Sequence, residues 1–267
     1  MPQFYPKFKM DKLLEVKSLG KSFKRKNIEK TVFSNIDFHL FDQEIISIIG
    51  PSGCGKSTLL NIISEIESDF QGEIIINDRK SSQGTQSKVS YMQQKDLLLP
   101  WRNVLENAIL GLEINKLNKQ KSREKALKLL PEFGLEGTEK MFPKHLSGGM
   151  RQRVSFLRSI LLEKPIMLLD EPFSALDSIS RSKMHEWVSS ILMKNKKSVV
   201  LVTHDIHEAV LLSDRVLIMG GSPINICREF KINIDRPRNK SSNNQKIFSK
   251  YEKDISDELL KHVPKNI

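Results

Sequence analysis

A short apolar run, Glu44–Ile49, leads directly into Gly50-Pro51-Ser52-Gly53-Cys54-Gly55-Lys56-Ser57. Beyond it, Leu59, Leu60, Ile62, Ile63 and Ile66 recur at helical spacing over Ser57–Ile66. A buried strand, a glycine-rich turn and a helix in that order are the setting a phosphate loop requires. Successive backbone N–H groups of Gly50–Ser57 can wrap phosphate oxygens, and the helix adds its positive end. Gly53 and Gly55 permit close approach and unusual dihedrals. Lys56 supplies a point charge for β- and γ-phosphates, Ser57 a hydroxyl for Mg²⁺, and Thr58 a hydroxyl for the α-phosphate. The expected ligand is therefore a nucleoside triphosphate with Mg²⁺.

Strand and helix patterns alternate along most of the chain. Leu13–Val16 and Ile36–Leu40 read as strands of an antiparallel layer. Glu73–Ile76, Val89–Met92, Ile166–Leu169, Ser198–Thr203 and Arg215–Met219 read as further strands. Helical patterns cover Val104–Leu112, Ser122–Leu130 (stopped by Pro131), Met150–Leu162 and Ser180–Met193. The expectation is an α/β core carrying a helical subdomain. Residues after Asn239 read as a Lys/Ser/Asn-rich linker and a terminal helix through Ile247, Tyr251, Ile255 and Leu259.

Nothing approaches the roughly 20 consecutive apolar residues of a membrane span, and Met1–Lys12 has no apolar signal core. The cysteines are two, Cys54 and Cys227. A disulfide at Cys54 would obstruct the loop, so a reduced, cytoplasmic compartment fits. The net charge of +11 raises a nucleic-acid or anionic-membrane partner. The lysines are scattered, however, and the densest run, Lys119–Lys125, has no aromatic residues interleaved to stack bases. A solvated basic surface is the preferred reading, with no nucleic acid.

Ile166-Met167-Leu168-Leu169-Asp170-Glu171 is an apolar strand ending in two acids. It places Asp170 at the carboxyl edge of the sheet, where ligands sit in such folds. Asp170 is the expected metal holder and Glu171 the group that orients or deprotonates attacking water. An N-cap with a neighbouring acid is the plainer alternative. His204 follows Ser198–Thr203 and is expected to reach the γ-phosphate from the neighbouring strand end; a surface histidine is the plainer alternative, against which the shared sheet edge argues. Asp205 fits better as the cap of the following helix. Gln94, after Val89–Met92, is placed to touch Mg²⁺ or water, with Gln93 as its rival. Phe23 either stacks on adenine or is plain core. Ser147-Gly148-Gly149 opens the helix Met150–Leu162 and offers a second anion site. One cradle per chain means that this site needs another chain's γ-phosphate. A helix cap explains Ser147 but not two glycines followed by Arg151-Gln152-Arg153.

In order, these motifs resemble the ATP-binding subunits of ABC transporters over about residues 12–238. The resemblance comprises the Walker A loop (Gly50–Ser57), a Q-loop, the signature Leu146–Gly149, the Walker B strand with its glutamate (Ile166–Glu171), the D-loop Ser174-Ala175-Leu176-Asp177 and the switch His204. The register of Gln94 ahead of Leu99-Pro100-Trp101 favours it over Gln93. The resemblance implies a P-loop NTPase ABC cassette: a RecA-like core, an antiparallel β subdomain and a helical subdomain at about 95–163, with a separate tail at 239–267. It also implies an ATP-sandwich homodimer on the cytoplasmic face of a membrane. An integral membrane permease and, indirectly, a solute-binding protein would be its partners. Leu99-Pro100-Trp101-Arg102, Met150 and Arg236-Pro237-Arg238 resemble importers of nitrate, aliphatic sulfonates and taurine, and importers of thiamine-pyrimidine precursors look similar. Ser155-Phe156-Leu157-Arg158-Ser159 departs from the usual small, Ala-rich run. A soluble nucleic-acid-linked ABC ATPase and a non-hydrolysing regulatory subunit are rival readings. The first lacks its usual coiled-coil insertion or tandem cassette here, and Glu171 with His204 argues against the second.

Overall fold

The structure is a computed structural model that describes residues 12–25, 28–77, 79–80, 88–174, 176–236, 238 and 242–262. The leading segment, Ala175 of the D-loop, Pro237 and the start of the tail linker lie outside these residues.

Two long strands, β1 (Lys12–Arg25) and β2 (Ile28–Phe41), open the chain. Next come β3 (Ile45–Ile49), α1 (Lys56–Ile63), β4 (Gln71–Ile76), β5 (Arg79–Lys80) and β6 (Val89–Met92). A helical block follows: α2 (Val104–Ala108), α3 (Leu110–Ile114), α4 (Lys119–Leu129) and α5 (Gly148–Leu161). The core resumes with β7 (Ile166–Asp170), α6 (Ser178–Lys194), β8 (Ser198–Val202), α7 (Ile206–Leu212), β9 (Arg215–Gly220) and β10 (Asn225–Lys231). The tail forms α8 (Ser242–His262).

A six-stranded sheet runs β10-β9-β3-β8-β7-β6, parallel except for β10, which pairs antiparallel with β9. Its central strands β3, β7 and β8 are buried along their whole length. That burial is why they read as continuous Ile/Val/Leu runs without alternation. A four-stranded antiparallel sheet, β2-β1-β4-β5, covers one face. Its side chains share a core with α1 and that face, through Leu14, Phe33, Leu59 and Ile48 among others. The opposite face packs with α2–α6 around Phe133, Phe156, Met167 and Leu201.

The first two strands of the antiparallel layer are longer than Leu13–Val16 and Ile36–Leu40 alone suggest. β1 and β2 pair from Lys12↔Phe41 to Arg25↔Ile28, so Phe23 lies inside β1, ahead of β2. The continuous helix expected over Val104–Leu112 is divided at Ile109. Two residues on, a Cβ at Gly111 would come within 2.7 Å of Leu162 Cδ2, so this turn must press close to the end of α5. Fully buried Asn107 ties it down, its amide donating to the carbonyls of Leu99, Arg102 and Asn103. No sequence signal marked β10, whose side chains are half exposed to exposed. Among the described residues no helix is long and apolar enough to cross a membrane.

Candidate active site

The glycine-rich loop lies at the carboxyl end of β3, in the middle of the six-stranded sheet. A side chain at Gly50 would collide with the Met219 carbonyl oxygen. Gly55, at φ 99°, is the left-handed residue from which α1 departs. A Cβ there would sit 2.6 Å from Val32 Cγ1, so the β1–β2 hairpin rests directly on the loop. α1 begins at Lys56, one residue earlier than expected, and its N-cap Gly55 offers no side-chain cap. Its first N–H groups are thus left for an outside acceptor. Lys56 Nζ is buried and donates to the loop carbonyls of Gly50 (2.8 Å) and Pro51 (3.0 Å). The Cys54 side chain points into the core, and burial pushes its thiol pKa up. Cys54 therefore presents only its backbone to a ligand.

The two acids at the end of β7 have different surroundings. Asp170 is buried, one oxygen accepting from the Tyr91 hydroxyl at 3.2 Å while Oδ1 has no hydrogen-bond partner. Burial pushes its carboxyl pKa above the usual range, against the pull of the Ser57 and Tyr91 hydroxyls. Glu171 sits at φ 45°, a conformation a non-glycine residue holds only when its neighbours enforce it. Its N–H donates to Val202 O at 2.8 Å, and its carbonyl accepts from both the N–H and the hydroxyl of Ser174. Glu171 Oε2 lies 3.1 Å from Gln94 Nε2 and 3.2 Å from His204 Nδ1. Gln94, Glu171 and His204 thus meet at one carboxylate oxygen, although they come from three separate parts of the sequence. Asp205 caps α7 by accepting from Glu208 N–H, as its position suggested.

Phe23 is not core: it is 45% exposed, with Lys21 Nζ 4.6 Å from its ring centre. Ser147 is the N-cap of α5, accepting from Met150 N–H. Gly148 and Gly149 follow it on the wall of an open cleft completed by Leu176, Asp177 and Lys183. A Cβ at either glycine would meet nothing nearer than 3.9 Å.

Several contributors had no sequence signal. Tyr91 was hidden inside an ordinary strand pattern. Thr203 donates to buried Glu208 at 3.0 Å and accepts from Asp205 N–H at 3.0 Å, which sets the loop carrying His204. Arg181 of α6 donates to Leu176 O at 2.9 Å and reaches Asp205 at 3.8 Å.

Residues 33–174 match the family model described as ABC transporter. The formylaminopyrimidine import ATP-binding protein ThiZ of Halalkalibacterium halodurans is 44% identical over 207 residues, 78% of this chain and 80% of ThiZ. The aliphatic sulfonates import ATP-binding protein SsuB of Bacillus thuringiensis subsp. konkukian is 39% identical over 230 residues, 86% of this chain and 90% of SsuB. Among solved structures, the dimeric MJ0796, a bacterial ABC transporter cassette, superposes with a TM-score of 0.73 at 30% identity, covering 83% of this chain and all of that one. A second MJ0796 dimer, in a post-hydrolysis state bound to ADP and Pi, matches equally well. The chain belongs to the ABC transporter family and has its cassette fold. It is an ATPase of the ATP-binding subunit type.

Proposed function

We propose that two copies of this chain bind two ATP molecules between them and that hydrolysis drives a small-solute importer. The observation that carries the pairing is the glycine pair at 148–149. Neither residue has a positive φ, and neither is crowded within the chain. Small residues there suit the close approach of something from outside, and the free N–H groups of α5 suit an anion. The dimeric state of both MJ0796 structures supports the same arrangement.

In this reading the backbone of Gly50, Pro51, Ser52, Gly53, Cys54, Gly55, Lys56 and Ser57 holds the phosphates. Lys56 exchanges its two loop carbonyls for β- and γ-phosphate oxygens, and Thr58 meets the α-phosphate. Phe23 stacks on adenine. Ser57, Gln94 and Asp170 would hold Mg²⁺; the unpartnered, buried Oδ1 of Asp170 suits a cation. Bound there, the cation neutralises charge on the phosphates. Among the described residues no group of three His, Cys, Asp or Glu side chains could hold a metal alone, so phosphate and water would complete its ligands. Glu171 orients and deprotonates the attacking water, and Gln94 with His204 fixes the oxygen that does so. His204 also contacts the γ-phosphate, while Ser147, Gly148 and Gly149 of the second copy close over the same group. Losing the γ-phosphate removes contacts to both copies and lets them part.

The relatives' names support import of a sulfonate-type or pyrimidine-precursor solute; nitrate and taurine rest only on the sequence resemblance at Leu99–Arg102, Met150 and Arg236–Arg238. A permease in the membrane would receive the closing motion, a solute-binding protein would deliver the cargo, and the chain would sit peripherally on the cytoplasmic face. The domain division at 12–238, with the insertion at about 95–163 and the tail from 239, belongs to the same reading. The test is gel filtration of Glu171→Gln with ATP: a dimer is expected, and only monomers would refute the sandwich.

A further inference from the structure

Lys21 is an unusual lysine. Its side chain is 2% exposed, and its ion pairs are with the turn at Glu67–Asp69. Its Nζ donates to the Asp69 backbone carbonyl and pairs with Asp69 Oδ2 at 3.1 Å and Glu67 Oε1 at 3.3 Å. That acidic turn joins α1 to β4. With two carboxylates and a carbonyl already on it, the ammonium is not free to serve as a phosphate ligand. It stands over the Phe23 ring instead, 4.6 Å from the ring centre.

The backbone explains why the two side chains meet. Lys21 and Phe23 are two residues apart on β1 and so share a face. The pairing with β2 is irregular on both sides of Lys21, where Leu19↔Ile36, Lys21↔Phe33 and Ser22↔Thr31 leave extra residues on β2. Such bulges re-aim side chains. One of the extra residues is Val32, which presses on Gly55 of the loop. The bulge at Val32 that seats the hairpin on the cradle thus falls opposite β1 between Lys21 and Phe23.

We infer that Lys21 is a positioning residue for the nucleobase, which fixes the Phe23 ring from behind and makes it a platform selective for purines. This rests on the reading of Phe23 as the base-stacking residue. A cation on one face of an aromatic ring attracts its π-density. The opposite face is then less repulsive toward an electron-rich, polarisable base. A bare phenyl ring stacks on any base, since every base has a π-face. With Lys21 behind it, adenine and guanine gain more than cytosine and uracil.

The test is equilibrium binding of ATP, GTP, CTP, UTP and inorganic tripolyphosphate to the full chain. Lys21→Met should weaken ATP about 3–10-fold, shrink the ATP-over-CTP preference and leave tripolyphosphate unchanged. Lys21→Arg, which keeps the cation, should restore both ATP affinity and preference. In the Phe23→Ala background, Lys21→Met should have no further effect. If Phe23→Ala leaves base preference untouched, the stacking reading itself fails. If Phe23→Ala abolishes the preference but Lys21→Met does not reduce it, the inference about Lys21 is overturned. A loss of tripolyphosphate binding on Lys21→Met, or an undiminished effect without Phe23, would likewise overturn it by marking Lys21 as a strut only. Should Lys21→Met not fold, Lys21→Gln carries the same comparisons.

Discussion

Glu171 sits in strained backbone between Gln94 and His204, both directed to one of its oxygens. Replacing the carboxylate with an amide keeps the size and removes the proposed base. Glu171→Gln should therefore lower ATP turnover about 10²–10⁴-fold with nucleotide affinity preserved, read by phosphate release beside equilibrium binding. Lys56→Ala should abolish tight ATP binding, because the loop N–H groups alone cannot balance the triphosphate charge; unchanged affinity would remove the cradle assignment. Behind the switch loop, burial raises the Glu208 carboxyl to about 8 from 4.5 and lowers the His185 imidazole to about 4 from 6.5. Both are neutral when folded near pH 7. The Glu208 contribution to stability is full below pH 4.5 and is lost as pH rises toward 8, because the unfolded carboxyl ionises first. The His185 contribution has the opposite slope, between pH 4 and 6.5. The two slopes oppose each other up to pH 6.5, and above it only Glu208 acts, so stability should fall from pH 6.5 to 8. Glu208→Gln should flatten that fall; urea melts across the range measure it, and an unchanged slope would assign the pH dependence elsewhere.

The elements most legible in the sequence were those whose patterns have a single cause. β3, β7 and β8 are buried on both faces, so their apolar runs admitted few other readings. α1 and the glycine loop were fixed by local chemistry, as were the caps of Asp205 and Ser147. The tail helix was visible through Ile247, Tyr251, Ile255 and Leu259, though not where it docks. What stayed hidden depends on distant partners: the division of the helix at Ile109, set by Leu162 against Gly111, the half-exposed β10, and the meeting of Gln94 with Glu171. The docking of α8 has a measurable consequence. Ile255 is fully buried with Ala209, Val216, Ile218 and Ile232, and Glu252 meets His207 of α7 at 2.7 Å. Arg238, whose guanidinium donates to Val210 and Ser213 carbonyls at the end of α7, braces the same corner. Ile255→Ala should cost about 2–5 kcal/mol by removing buried methylenes and leaving a cavity. Chemical denaturation reads it directly, and a loss under about 0.5 kcal/mol, typical of a surface site, would mean that α8 is not docked.

At the scale of the whole molecule, the two features proposed to meet nucleotide look out from different places on one chain. The cradle and the Gln94–Glu171–His204 cluster lie at the sheet edge, while Ser147–Gly149 and Leu176 line a separate cleft. A two-fold pair makes these complementary, since each cradle then faces the other copy's signature. That arrangement predicts rescue between two dead proteins. Lys56→Ala lacks a working cradle but keeps its signature. Ser147→Arg keeps its cradle but fills the signature cleft with a bulky cation. Neither alone should hydrolyse ATP. Mixed in equal amounts, about half of the pairs are hybrid, and each hybrid holds one complete site and one doubly defective site. If the sites fire independently, activity returns to about one quarter of the unmodified protein's value; if both must be intact for either to fire, it stays near zero while hybrids still form. Steady-state phosphate release measures the rescue, and differently tagged copies count the hybrids. Full activity of Ser147→Arg on its own would mean that hydrolysis does not use the signature of a second copy, and the paired-cassette reading would be lost with it.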